Sequence, residues 1–183
     1  GDFYDFYKLS DTTVAFLAAD VSGKGIPAAM FMMTAKTIIK DLAESGMAVN
    51  DIFTRANEKL CENNEADMFV TAWMGILDLQ TGNMKYANAG HNPPLLKHAD
   101  GSFEYLRSRA GFVLAGIEGF NYRINELQLK AGDRLFLYTD GVPEATNAES
   151  ELYGEDRLLN FMNQNTVAPA TELLPALKAD IDA

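Results

Sequence analysis

Between residues 69 and 138 the chain offers one strand pattern after another, with no helical period between them. Residues 69–79 form a long apolar run, Gln80-Thr81-Gly82-Asn83 interrupts it, and residues 84–89 run back. Further strand patterns fall at 94–97, 103–106, 122–129 and 134–138, with turn signals at Asp100-Gly101 and Ala131-Gly132-Asp133. Strands that follow one another without a crossover helix pair antiparallel, because a parallel neighbour needs a long connection. Helical patterns sit on the flanks. Residues 26–43 follow Gly23-Lys24-Gly25 with Pro27 in the first turn, and residues 51–63 carry Ile52, Ala56 and Leu60 on one stripe. Residues 155–163 and 171–182 close the chain as helices. Sheets covered by helix pairs make an α+β layered fold. No repeat or low-complexity linker divides the 183 residues, so a single domain over 1–183 is expected.

The first strands constrain the chemistry. Residues 3–9 and 13–20 read as a hairpin around Ser10-Asp11-Thr12. If the turn centres on Asp11, residue i faces residue 22 − i, and Asp2 faces Asp20. Tyr4 with Ala18, Phe6 with Phe16 and Lys8 with Val14 follow on that face. Two carboxylates opposed at the end of an apolar face repel each other. They require a proton or a cation between them, and a hard divalent ion bound by oxygen is the direct solution. A slip of one or two residues would leave them as ordinary strand-end charges.

Asp20 also opens Asp20-Val21-Ser22-Gly23-Lys24-Gly25 into a helix. Glycines let the backbone approach a ligand closely, while Lys24 and the helix N-terminus add positive potential suited to phosphate. The glycine spacing matches neither a P-loop nor a dinucleotide fingerprint. Asp140 repeats the theme after Leu135-Phe136-Leu137-Tyr138, ending a core strand ahead of Gly141. On its own, Asp-Gly there is also an ordinary turn. His91 in Gly90-His91-Asn92-Pro93-Pro94 is a candidate proton donor or phosphate contact, although a loop histidine more often satisfies local hydrogen bonds. His98 reads as a surface residue. The Met30-Phe31-Met32-Met33 run reads as core packing, with an adaptable interface as the other option.

Composition removes other classes. A net charge of −11 is the wrong sign for a general nucleic-acid binder. The longest apolar stretch, 26–33, is too short to span a bilayer, so no membrane contact by this domain is expected. The single cysteine, Cys61, permits no intrachain disulfide and fits a reducing, cytoplasmic setting. It has no neighbouring base in sequence and is not expected to be a nucleophile. The chain opens without Met and reads as a piece of a longer protein.

Together these segments resemble the SpoIIE/RsbU branch of the metal-dependent protein phosphatases, the protein phosphatase 2C superfamily. Gly1-Asp2-Phe3-Tyr4-Asp5 is similar to its opening motif, and Ala19-Asp20-Val21-Ser22-Gly23-Lys24-Gly25-Ile26-Pro27-Ala28-Ala29 to its second. Met68-Phe69-Val70-Thr71, Asn88-Ala89-Gly90-His91-Asn92-Pro93 and Leu137-Tyr138-Thr139-Asp140-Gly141-Val142 follow in the family's order. The resemblance implies a four-layer α-β-β-α sandwich of two antiparallel sheets, and two Mn²⁺ or Mg²⁺ ions in a cleft at one end of it. Carried over by motif, Asp20 bridges both ions, Asp140 binds one, and the Val21 backbone carbonyl binds the other. Asp2 binds that second ion directly or through water. A water held by the metals then attacks phosphorus, with Lys24 and His91 as substrate contacts and no phosphoenzyme. The implied substrate is a phosphorylated protein resembling an anti-sigma-factor antagonist. An upstream sensor or receiver domain is expected, and a homodimer is left open.

One departure stands out. The family usually closes on a strand carrying an Asp-Asp-x-Thr segment, whereas this chain stops at Ala179-Asp180-Ile181-Asp182-Ala183. The C-terminal strand, and with it one metal ligand, is expected to be missing, as is a strand before the opening motif. That sets a pseudophosphatase, or partner-binding module, against the enzyme reading. A two-metal nucleotide cyclase is the other competitor, but the chain lacks the β-α-β-β-α-β order and shows no base-binding motif.

Overall fold

The structure, a computed structural model, describes residues 1–62 and 64–183. The chain divides into two compact units, Gly1–Asn92 with Ser108–Leu129, and Pro93–Arg107 with Lys130–Ala183. Each contains one antiparallel sheet and one pair of helices. The two antiparallel sheets and four helices are those expected from the sequence.

In the first unit, β1 (Asp2–Lys8) and β2 (Thr13–Val21) form the hairpin. Its register is the expected one, from Asp2 opposite Asp20 to Lys8 opposite Val14. The turn closes where Leu9 N–H donates to the Thr13 carbonyl at 2.8 Å and Thr12 N–H to Ser10 Oγ at 3.2 Å. The strands β3 (Val70–Asp78), β4 (Asn83–Ala89) and β7 (Asn125–Gln128) complete a sheet of order β1-β2-β3-β4-β7. Helices α1 (Gly25–Glu44) and α2 (Val49–Cys61) bury one stripe each against it. On α1 the stripe is Ala28, Ala35, Ile39 and Ala43, all buried in the core of this unit. On α2 it is Val49, Ile52, Phe53, Ala56 and Leu60, at helical spacing. Phe53 is fully buried, edge-on to Tyr122 with ring centroids 5.8 Å apart. Burying such a side chain stabilises the fold by roughly 1.5–3 kcal/mol. The expected end of α2 at Asn63 lies outside the described residues.

The second unit holds β5 (Leu95–Lys97), flanked by β6 (Phe103–Tyr105) and β8 (Arg134–Phe136) in the order β6-β5-β8. Helices α3 (Gly154–Gln164) and α4 (Ala170–Asp182) pack Leu158, Met162, Leu173 and Leu177 onto Leu95 and Phe103. Asn163 fixes α3 to β6 by accepting from Phe103 N–H at 2.7 Å and donating to its carbonyl at 3.1 Å. Tyr153 donates its hydroxyl to Asp180 at 2.6 Å, which ties α4 back to the start of α3.

Three sequence expectations are corrected. The strand expected at 134–138 stops at Phe136; the Pro94 carbonyl accepts from Leu106 N–H on the β6 side, and continuing the β8 register beyond Leu95–Phe136 brings Pro93, which has no N–H to give, opposite Tyr138. The strand expected at 122–129 shrinks to Asn125–Gln128. Beyond Tyr86 the edge of β4 is taken by another segment, with Gly111 N–H donating to the Asn88 carbonyl at 2.8 Å. The methionine run is only half core. Phe31 and Met32 pack against the core, while Met30 and Met33 are 66% and 59% exposed.

Candidate metal centre

The pairing of β1 with β2 places Asp2 directly across from Asp20, and carboxylate oxygens of the two approach within 4.8 Å. Asp2 is exposed, whereas the Asp20 side chain is 24% exposed. Two negative charges this close are held together only at a cost that a cation removes. The hairpin ladder continues past this pair, with Gly1 N donating to the Val21 carbonyl at 2.9 Å and Val21 N–H to the Gly1 carbonyl at 3.1 Å, so the Val21 carbonyl follows directly on the paired carboxylates. Hard oxygen donors of these kinds are what Mg²⁺ and Mn²⁺ select, so the residues fit such an ion.

The loop after Val21 is fixed from β3. Ser22 N–H donates to the Phe69 carbonyl at 2.9 Å, and Phe69 N–H donates to Ser22 Oγ at 2.8 Å. Gly23 and Gly25 then adopt φ of +80° and +79°, a left-handed conformation that side chains disfavour. Between them Lys24 is extended and exposed at the N-cap of α1. Among the described residues no side chain caps this helix start, and its first turn holds no acid, which leaves its positive end suited to an anion.

His91 and Thr71 belong to the same unit. The His91 ring is 6% exposed, with Nδ1 at 3.0 Å from Thr71 Oγ1. Its main chain is held by Asn88, which accepts from His91 N–H at 2.7 Å and donates to the His91 carbonyl at 3.0 Å. Burial and these bonds give His91 the loop-holding role toward which its sequence context leaned. Thr71 and Asn88 were not singled out from sequence. The signal lay in the pairing of residues 13–20 with 69–79, which puts Thr71 opposite Asp20.

Asp140 belongs to the second unit. It follows β8 at the head of a turn in which Glu144 N–H donates to the Asp140 carbonyl at 2.9 Å and Val142 N–H to the Thr139 carbonyl at 3.1 Å. His98 lies at the surface, with Nδ1 at 3.0 Å from Asp133. Burial, and secondarily the charge of Glu118, push the Cys61 thiol above its usual pKa, so little thiolate is present at neutral pH.

The family model for Stage II sporulation protein E (SpoIIE) matches residues 10–183. The chain belongs to this family, the SpoIIE/RsbU branch of the PP2C phosphatases. Protein IcfG of Synechocystis sp. is 30% identical over 208 residues, spanning 99% of this chain and 32% of IcfG. Phosphoserine phosphatase RsbU of Bacillus subtilis is 30% identical over 175 residues, spanning 95% of this chain and 51% of RsbU. The chain thus spans about half the length, or less, of these relatives. Among solved structures, the SiaA PP2C domain of Pseudomonas aeruginosa superposes with a TM-score of 0.83 at 19% identity, covering 98% of this chain and 72% of that one. The PP2C domain of Bacillus subtilis SpoIIE, solved with a fragment of its regulatory domain, gives 0.81 at 22% identity, covering 98% and 52%. At these identities the likeness concerns the fold.

Proposed function

We propose that this chain is the catalytic domain of a metal-dependent protein-serine/threonine phosphatase, in which Asp2, Asp20, the Val21 carbonyl and Asp140 hold two divalent ions, Mn²⁺ or Mg²⁺. The observation that carries the reading is the Asp2–Asp20 pair, opposed across the hairpin with carboxylate oxygens within 4.8 Å of one another. Family membership supports Asp140 as the further ligand. When bound, the ions supply a water of lowered pKa and offset charge on the phosphoryl oxygens.

The chain's own residues orient and neutralise. Asp2, Asp20 and Asp140 would hold the ions through their carboxylates. Lys24, exposed at the uncapped start of α1, meets the phosphoryl oxygens of the substrate. No side-chain nucleophile takes part, which agrees with the raised pKa of Cys61. The substrate is a phosphoserine or phosphothreonine on a small protein resembling an anti-sigma-factor antagonist. Similarity to the phosphoserine phosphatase RsbU supports the phosphoserine part of this. Regulation by a sensor or receiver domain acts through α1, which follows the Asp20 loop directly and exposes Ile26, Met30 and Met33. Faster hydrogen exchange in α1 on adding an activating partner is expected; unchanged exchange would remove that part of the reading.

Titration with Mn²⁺ tests the site. The wild-type chain is expected to bind Mn²⁺ and hydrolyse a phosphoserine peptide. Asp20→Asn and Asp140→Asn are expected to lose both. Wild-type turnover in either variant would end the reading, and Mn²⁺ binding without any turnover would favour a pseudophosphatase.

A further inference from the structure

We propose that Thr71 and His91 form a positioning pair for Asp20, in which the Thr71 hydroxyl is drawn to the imidazole rather than to the carboxylate it faces. The inference rests on the metal site proposed above and assigns it an outer layer.

The argument starts from register. Asp2, Asp20 and Thr71 occupy one row across β1, β2 and β3, with Asp20 paired to each neighbour. Directly opposed residues of an antiparallel pair have Cβ atoms about 4.5–5.5 Å apart, so a hydroxyl beside a carboxylate is within reach of it. A Thr71 hydroxyl turned that way would donate to Asp20 and compete with a cation for its lone pairs. Thr71 Oγ1 instead lies 3.0 Å from His91 Nδ1. If the hydroxyl donates to Nδ1, the ring is neutral with its proton on Nε2. The β-branched side chain, restricted at χ1, is then held in one rotamer beside Asp20.

The fold goes to some length to hold this ring in place. Asn88, itself buried, grips the His91 backbone from both sides with bonds of 2.7 and 3.0 Å. Gly90 bridges to Ala72 on β3 and takes φ of +68°. A Cβ at Gly90 would come within 2.9 Å of Val113 Cγ1, so only glycine carries the chain through this point. A turn needs none of this merely to reverse direction. The arrangement sets a buried imidazole against the hydroxyl of Thr71, the residue paired with Asp20 on β3. Outer partners of metal ligands commonly act in this way, by fixing ligand orientation.

The test is the Mn²⁺ dissociation constant, read by electron paramagnetic resonance of free Mn²⁺, with the metal-free unfolding midpoint as a control. Thr71→Val keeps the shape and removes the hydroxyl; His91→Leu removes the acceptor. Both are expected to weaken Mn²⁺ binding roughly 10–100-fold, whereas Thr71→Ser and His91→Asn, which keep donor and acceptor, stay within about threefold of wild type. If His91→Leu fails to fold, the partly exposed Thr71 carries the test through the Val and Ser pair. Wild-type affinity in Thr71→Val, or equal loss in Val and Ser variants, overturns the proposal. Absence of Mn²⁺ binding by the wild-type chain would instead overturn the metal site itself.

Discussion

At Asp20 two features meet: a facing carboxylate from Asp2, and a partner residue, Thr71, on the next strand. Replacing Asp20 by Asn removes the charge while keeping the shape. Phosphatase turnover is expected to fall by more than about 100-fold, beyond the 10–100-fold effect of an outer-shell partner, as measured by phosphate release at saturating Mn²⁺. Cys61 is the contrasting case. With its thiol pKa raised by burial, it should react slowly with iodoacetamide at pH 7, and Cys61→Ser should hydrolyse phosphopeptide at the wild-type rate. Asp133 gives a prediction in pH. Burial raises its carboxyl, but hydrogen bonds from Lys130 N–H, His98 and Ala99 N–H outweigh that and hold it below the usual carboxylate range. A folded pKa below the unfolded value, about 3.9, gives stability that is present above that pH and lost as pH falls through the folded pKa. Between about pH 4 and pH 2 the wild-type unfolding midpoint should therefore drop more steeply than that of Asp133→Asn, as followed by thermal melts along a pH series.

The elements differ in how far local sequence dictates them. The hairpin register followed from the turn at Asp11 and the apolar alternation, because a one-residue slip would send every core side chain to the wrong face. Helices α1 and α2 were legible from their stripes. The ends of β7 and β8 were not, since they depend on partners: Pro93 has no donor to offer at the next rung of β8, and Gly111 occupies the edge of β4 that residues 122–124 would need. Asn57 was also invisible. A polar residue on an apolar helix face looks like a surface position, yet it is fully buried, donating to the Ile117 carbonyl at 2.8 Å and accepting from Ala115 N–H at 2.7 Å. Those bonds hold Ala115 at φ +64°, a conformation that disfavours an L-residue. Asn57→Ala leaves that buried amide unsatisfied and should cost about 2 kcal/mol, read as a lower urea midpoint. In the candidate site the aspartates and the glycine loop stood out by residue type. The Thr71–His91–Asn88 arrangement did not, because it arises only when β3 and β4 are side by side.

At the scale of the whole molecule, the chain belongs to the SpoIIE family and carries that family's sheet-and-helix architecture across its length. No helix among the described residues is long and apolar enough to cross a membrane. Its relatives RsbU and IcfG extend well beyond the aligned region, which leaves room in such proteins for domains that govern a catalytic one. The most direct test of the central claim is phosphate release from a phosphoserine protein substrate by the 183-residue chain, with and without Mn²⁺, alongside Asp20→Asn. Release that requires Mn²⁺ and vanishes in Asp20→Asn is the expected result. Release that persists in chelator, or survives in Asp20→Asn, would contradict a metal-dependent phosphatase built on Asp20.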